Sequence, residues 1–297
     1  MLKVPHAIPY QGSKRALAPS IAGYLPGSIE TLYEPFAGSA AMTIYAAQHK
    51  LAKRFVLGDS LPQIVDLLRA IIEEPDRTAS AYREVWEGYD GKDLGYFNVV
   101  RDRYNRERDP VDLLYIIARS VKNAVRFNKQ GAYSQSQDKR RAGTRPERMR
   151  GEISQISALL RGRCEFRAGD WMETTAGAGD ADYVYMDPPY HGTSHGADLR
   201  YHAQLTRPAL IEGLEALLAR DVRFALSYDG TTGGREYAPP LPEHLGLRRV
   251  MLHAGRSSQA TLQGRHEETV ESLYLTPDHR EPVRPMKHPE GQPALAL

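Results

Sequence analysis

The sequence predicts an α/β fold: a doubly wound, mostly parallel sheet with an inserted, mainly helical unit that contains a hairpin. Three observations predict it. Short apolar runs alternate with helix-period segments over residues 1–60, and the same alternation resumes from Cys164. Between them, residues 61–164 read as mostly helical. Most of the positive charge is also concentrated there.

Taken in order, Thr31-Leu-Tyr-Glu is a short strand that runs into a Pro-Phe-Ala-Gly turn, and Ser39 to His49 is an Ala-rich helix with Ser39 as its expected cap. Arg54-Phe-Val-Leu-Gly is a second strand ending at Asp59. Strand, helix and strand at this spacing make a βαβ unit, which implies parallel pairing. Apolar periodicity marks helices at Ile64–Ile72, Val111–Val121 and Pro146–Leu160, and Ala124–Tyr133 reads as a hairpin turning at Gly131. Cys164–Arg167, Tyr183–Met186 and Val222–Ser227 are strand-like. Arg207–Arg220 is an amphipathic helix opened by Thr206 and Pro208. Leu247–His253 and Thr269–Leu275 suggest a closing antiparallel pair. The tail from Pro277 carries five prolines in its last 21 residues, a composition expected to be disordered. The expected division is 1–60 with 165–276 as one unit, 61–164 as the insertion, and 277–297 as the tail.

The chain has 297 residues, 41 % hydrophobic and 26 % charged, enough for a buried core. Its single cysteine, Cys164, excludes an intramolecular disulfide and fits a reducing compartment. No stretch approaches a membrane span and the first residues lack a signal-peptide core, so a cytoplasmic protein is expected. Net charge is only +2, but Arg119–Arg150 holds ten Lys or Arg against Asp138 and Glu147. That segment is +8 and the remainder −6. Such a block suits a polyanionic partner, with a solvated basic face as the alternative.

The strongest chemical signal is Ala181-Asp-Tyr-Val-Tyr-Met-Asp-Pro-Pro-Tyr190. An apolar strand delivers an acid, two prolines and an aromatic at its carboxyl end, where ligands bind in open α/β sheets. An exocyclic amine on a base is a poor nucleophile because its lone pair is delocalised. Acceptors for both amine hydrogens, here Asp187 and a carbonyl of Pro188-Pro189, favour the tetrahedral nitrogen of the transition state. The prolines hold the turn stiffly and Tyr190 offers a face for an extruded base. A Pro-Pro turn leaving a core strand is the bland alternative. A second signal is Leu32-Tyr-Glu-Pro-Phe-Ala-Gly-Ser-Ala-Ala41, where Gly38 permits close approach to the backbone and free helix amides would suit a carboxylate. Asp59 ends the next strand, a place where an acid can accept from ribose hydroxyls.

Together these motifs resemble the Dam-type, D12-class DNA adenine methyltransferases. Ile8-Pro-Tyr-Gln-Gly-Ser-Lys14, Glu34–Gly38, Asp59 and Asp187–Tyr190 follow the family's order, as do Tyr201-His202, Val222–Asp229 and Gly255-Arg-Ser-Ser with Glu268–Tyr274. The resemblance spans residues 8–276. It implies a Rossmann-like class I methyltransferase fold, S-adenosylmethionine as cofactor and double-stranded DNA as partner. It also implies roles. Tyr10 and Lys14 would contact the methionine end of the cofactor; Glu34, Phe36 and Gly38 would wrap it; Asp59 would take the ribose; and Phe166 and Asp170 would flank its adenine. Asp187, Pro188, Pro189 and Tyr190 would hold the target base, with Asp187 also bordering the cofactor.

The insertion would then recognise DNA. Arg126, Asn128, Lys129 and Gln135 are side-chain types that read purine edges. Lys139, Arg140, Arg141, Arg145, Arg148 and Arg150 would hold phosphates. The hairpin matches the family loosely, so the same target sequence does not follow. His191-Gly-Thr-Ser-His195 and His266-Glu-Glu lack the pattern of a zinc site, and no metal is expected. The expected reaction is methyl transfer to the N6 of a flipped adenine without a covalent enzyme intermediate. N4-cytosine methylation, an RNA acceptor and a non-catalytic DNA-binding protein of the same fold are the alternatives. A cognate restriction endonuclease is a candidate partner, and a monomer is expected.

Overall fold

In a computed structural model of the chain, residues 3–89, 95–189, 205–232, 235–236, 238–256 and 268–277 are described. Four strands pair in parallel: β1 (Ile29–Glu34), β2 (Ala52–Asp59), β3 (Cys164–Ala168) and β4 (Tyr183–Met186). A fifth, β5 (Phe224–Thr232), also joins β4 in parallel. A short β6 (Arg235–Glu236) pairs with β5, and β7 (Arg248–Arg256) and β8 (Glu268–Leu275) close the sheet antiparallel. The order is β3-β2-β1-β4-β5-β8-β7. Chain direction through the sheet reverses between β1 and β4, which makes their carboxyl ends the topological switch point.

The apolar runs behave as strands covered on both faces. Every residue of β4 is buried, and its alternation decides which layer each side chain joins. Tyr183 and Tyr185 face a core shared with β1, the N-terminal segment with α1 (Ala18–Ala22), and the helices α2 (Ala41–Gln48) and α3 (Pro62–Glu73). Val184 and Met186 face the other layer, with Trp171 of α8 (Trp171–Thr175) and Leu210, Leu214 and Leu217 of α9 (Arg207–Leu218). Thr206 caps α9 by accepting from the Ala209 amide at 3.3 Å, as its sequence predicts.

The helices between β2 and β3 do not separate from this core. α3 packs on β2 and β3, and α7 (Pro146–Leu160) packs on α2, α3 and α4 (Pro75–Glu87). Beyond them lie α5 (Tyr96–Glu107) and α6 (Pro110–Arg119), and one apolar cluster runs from Leu32 and Phe55 of the sheet through Ile64 and Leu68 to Leu113–Ile117 and Tyr133. The division at 61–164 therefore does not coincide with a packing boundary. Helix periodicity identified α3 and α7, but periodicity does not say which surface an apolar stripe covers.

Two local expectations change. Ser39 does not cap the helix after β1. That helix starts at Ala41, Ala40 precedes it in a left-handed conformation, and the Ser39 hydroxyl bonds instead to that of Ser13 at 2.9 Å. The strand expected at Val222–Ser227 continues to Thr232, past an irregularity in its pairing with β8 between Ser227 and Gly230. The hairpin forms as a short one: Phe127 bridges Tyr133, and Gly131 turns at φ +75°.

Candidate active site

The turn after β1 is shaped by two residues of positive φ, Gly38 at +49° and Ala40 at +55°. The Asp59 carboxylate at the end of β2 braces it, accepting from the Gly38 amide at 3.0 Å and the Leu61 amide at 3.0 Å. Burial pushes Asp59 up to about 6, against the pull of those two amides. Each oxygen of a carboxylate has a second lone pair, so Asp59 retains acceptor capacity beyond these bonds.

Glu34 has a different position from the one its motif suggests. It is buried at the end of β1, and its carboxylate accepts from the amides of Thr43 at 2.9 Å and Met42 at 3.4 Å. It thus occupies the Met42 and Thr43 amides in the first turn of α2, which are not free for a ligand carboxylate. The physical reason is that the turn carries no capping side chain of its own. Burial raises Glu34 to about 7, opposed by the Thr43 and Met42 bonds, and the like charge of Asp187 adds to the rise.

The N-terminal segment lies across this turn. The Tyr10 ring rests on Gly38 so closely that a Cβ there would meet it at 3.1 Å. Ser13 links to Ser39, and the Gln11 amide donates to the Asn123 carbonyl at 3.2 Å. Lys14 is buried, and its Nζ stands 2.8 Å from Asp187 Oδ1 and 3.4 Å from Glu271 Oε2. Asp187 follows β4 directly. Burial lifts its carboxyl to about 6, Lys14 pulls it down, and the Glu271 charge adds to the rise. Pro188 is buried beside it, while Tyr190 lies outside the described residues, as do Tyr201, His202 and the tail beyond Pro277.

Of the cofactor residues expected, Tyr10, Lys14, Gly38, Asp59 and Asp187 therefore gather at the switch point. Phe36 turns to the other layer, its ring centroid 5.8 Å from that of Trp171. Asp170 caps α8 through the Met172 amide at 2.7 Å and is exposed. Phe166 sits two residues before the end of β3 with the Arg69 guanidinium of α3 5.4 Å from its ring centroid, which packs it into the helix–sheet layer. Glu271 was not singled out in the sequence, although it lies within the Glu268–Tyr274 stretch. Its signal there is one acid in an alternating strand, which pairing alone brings to Lys14.

The basic segment divides by environment. Lys139, Arg140, Arg141, Arg145, Arg148 and Arg150 are all exposed. Arg140 and Arg141 share Asp138, Arg148 reaches Glu152 at 3.5 Å and Arg150 reaches Ser80. Arg119 is instead buried, 4.1 Å from the Tyr89 ring centroid, so it adds nothing to the surface charge. Lys129 is exposed at the hairpin tip and Arg126 is half-buried. Asn128 is exposed, but its Oδ1 accepts from the Gln130 and Ala132 amides and holds the turn. Gln135 is buried, donating to the Val121 carbonyl at 3.1 Å and accepting from the Ser136 amide, which engages both ends of its amide. Among the described residues no cluster of His, Cys, Asp or Glu is arranged to hold a metal, and no helix is long and apolar enough to cross a membrane.

A family model for D12 class N6 adenine-specific DNA methyltransferases matches residues 10–232. The chain is 24 % identical over 274 residues to the type II methyltransferase M.FokI of Planomicrobium okeanokoites, covering 89 % of this chain and 42 % of that protein. It is 25 % identical over 237 residues to the DNA adenine methylase of Escherichia coli strain K12, covering 77 % and 82 %. The DNA N-6-adenine-methyltransferase of Escherichia phage P1 is 23 % identical over 188 residues, 61 % of this chain and 23 % of the phage protein. The chain thus spans less than half of M.FokI and most of the Escherichia coli enzyme.

Proposed function

The chain belongs to the D12 class of N6 adenine-specific DNA methyltransferases, and on that premise we propose that it transfers a methyl group from S-adenosylmethionine to N6 of an adenine flipped from duplex DNA. The observation that carries this reading is Asp187, held at the β1–β4 switch point beside the Gly38 turn and 2.8 Å from Lys14. The residues present fit the cofactor. Gly38, at φ +49° beside the Tyr10 ring, lets it approach the backbone closely, and Asp59 keeps acceptor capacity for its ribose hydroxyls beyond the Gly38 and Leu61 amides. When bound, the cofactor supplies an electrophilic methyl.

The chain's own residues supply position and acceptors. Tyr10 over Gly38 forms one wall, and Asp59 at the end of β2 holds the turn and can accept from ribose hydroxyls. Ionised Asp187 accepts one amine hydrogen and the carbonyls of Pro188-Pro189 stand available for the second. Both draw the nitrogen lone pair out of conjugation as the bond to the methyl forms. The sole cysteine, Cys164, is raised to about 12 by burial and is no nucleophile, in keeping with direct displacement. The exposed Lys139–Arg150 residues would hold phosphates, and Arg126 and Lys129 would lie nearest the bases. Asn128 and Gln135 would support the hairpin rather than read from it. We assign recognition to residues 96–145 rather than to all of 61–164, because α3 and α7 belong to the sheet's own layer.

The test is D187A. Duplex DNA incubated with the wild-type chain should yield N6-methyladenine on nucleoside digestion. D187A should yield less than about a thousandth as much while binding S-adenosylmethionine within a few-fold of wild type. N4-methylcytosine as the product, or near-normal transfer by D187A, would sink the reading.

A further inference from the structure

Three distant parts of the chain meet at Lys14: the N-terminal segment, Asp187 after β4, and Glu271 on β8. Strand alternation aims Glu271 here. Leu273 and Leu275 enter the core shared with β1, so Glu271 presents to the same face. Because β8 runs antiparallel to β5, its first half lies at the end of the sheet where β4 and β5 terminate. Close approach depends on Gly230, Glu271's partner across the ladder. It has φ +149°, and a Cβ there would stand 2.5 Å from the Val270 carbonyl oxygen.

Nothing in the packing of β8 calls for an acid. Glu271 Oε2 is buried and, among the described residues, makes no hydrogen bond; its contact with Lys14 at 3.4 Å is a longer, Coulombic one. Glu271 is partly exposed, but an oxygen buried without a hydrogen bond is costly, and an apolar residue would suit the leucines beside it. Lys14 in turn forms its short bond with Asp187. Left alone, that ammonium would settle fully on Asp187 and draw off the charge that makes its carboxylate a strong acceptor for an amine.

We propose that Glu271 is a positioning residue that shares the Lys14 ammonium with Asp187, so that the Asp187 carboxylate stays a strong acceptor for the exocyclic amine. It needs no contact with substrate. This rests on the reading of Asp187 as the amine's acceptor, so its decisive measurement does not require transfer. Among the described residues, the groups that bear on Asp187 are Lys14, Glu271 and, from β1, Glu34. Removing the Glu271 charge takes away a like charge from Asp187 and lets Lys14 settle fully on it. Both changes favour the ionised form.

The experiment is a pH titration of Asp carboxyl carbons by 13C-detected NMR in the protein without cofactor, with the Asp187 signal identified by its loss in D187N. In E271Q the Asp187 midpoint should fall. E271D, which keeps the charge, should restore it toward wild type. In parallel, kcat of E271Q should drop about tenfold while its affinity for S-adenosylmethionine stays within about twofold. E271M, a similar volume on an apolar face, serves as the second variant should E271Q fail to fold, and the same fall is expected. An unmoved midpoint in the folded neutral variant, an equal fall in E271D, or full kcat in the neutral variant would overturn the proposal. Failure of D187A to lose transfer would instead overturn the reading beneath it.

Discussion

On the proposed reading Asp187 accepts an amine hydrogen most strongly when ionised, and burial sets its carboxyl at about 6, well above the usual range for aspartate. Lowering the pH through about 6 protonates Asp187, removes the charge that strengthens it as an acceptor and slows the proposed transfer, while above it the group is charged. We expect kcat/KM to fall on the acid side with a midpoint near 6, about two pH units higher than an exposed aspartate would give. A pH profile of kcat/KM between 5 and 8 checks this. A flat profile down to pH 5 would show that Asp187 is not the group. At this scale the sequence was informative where chemistry fixes a residue type, as at Asp187, Gly38 and Lys14. It was uninformative about Glu34 and Gln135, whose polar atoms are engaged by the chain's own backbone. A motif names a side chain, but which amide it meets depends on the fold.

The element whose stability is most exposed to one residue is α2. Its Ncap, Ala40, has no side chain to offer, and Glu34 from the preceding strand supplies acceptors for two of its first amides. E34A leaves two buried donors unpaired, at a cost of about 1–3 kcal/mol. Urea denaturation at pH 6, below the raised Glu34 carboxyl and so without the cost of burying its charge, should show a loss in that range with the m-value unchanged. A loss of a few tenths would mean that Glu34 does not cap the helix. Element identity was largely legible: α3, α7, α9 and the strands β1–β4 lie where periodicity put them. Caps and ends were not. Ser39 has a preferred capping side chain but spends its hydroxyl on Ser13, a contact across 26 positions that no local rule anticipates.

Across the whole molecule, the surplus charge of the 119–150 segment becomes a set of exposed basic side chains before and along the start of α7, reduced by the burial of Arg119 and the pairing of Arg140 and Arg141 with Asp138. If that surface holds phosphates, affinity for DNA falls with salt in proportion to the contacts made. K139A and R145A should each weaken binding to specific and unrelated duplexes alike and reduce the slope of log K against log salt by about one. Measuring affinity at several salt concentrations checks it, and an unchanged slope in both would place the DNA elsewhere. By itself the sequence determined the doubly wound fold, the family and the Gly38 turn at the switch point. Those depend on hydrophobic period, on glycine and proline geometry, and on residue types in order along the chain. Only the tertiary structure decided that α3 and α7 belong to the sheet's layer, that Glu34 closes a helix, and that Glu271 shares Lys14 with Asp187. Each of these turns on which distant groups share a low-dielectric space, and that depends on strand order and register rather than on any local spacing.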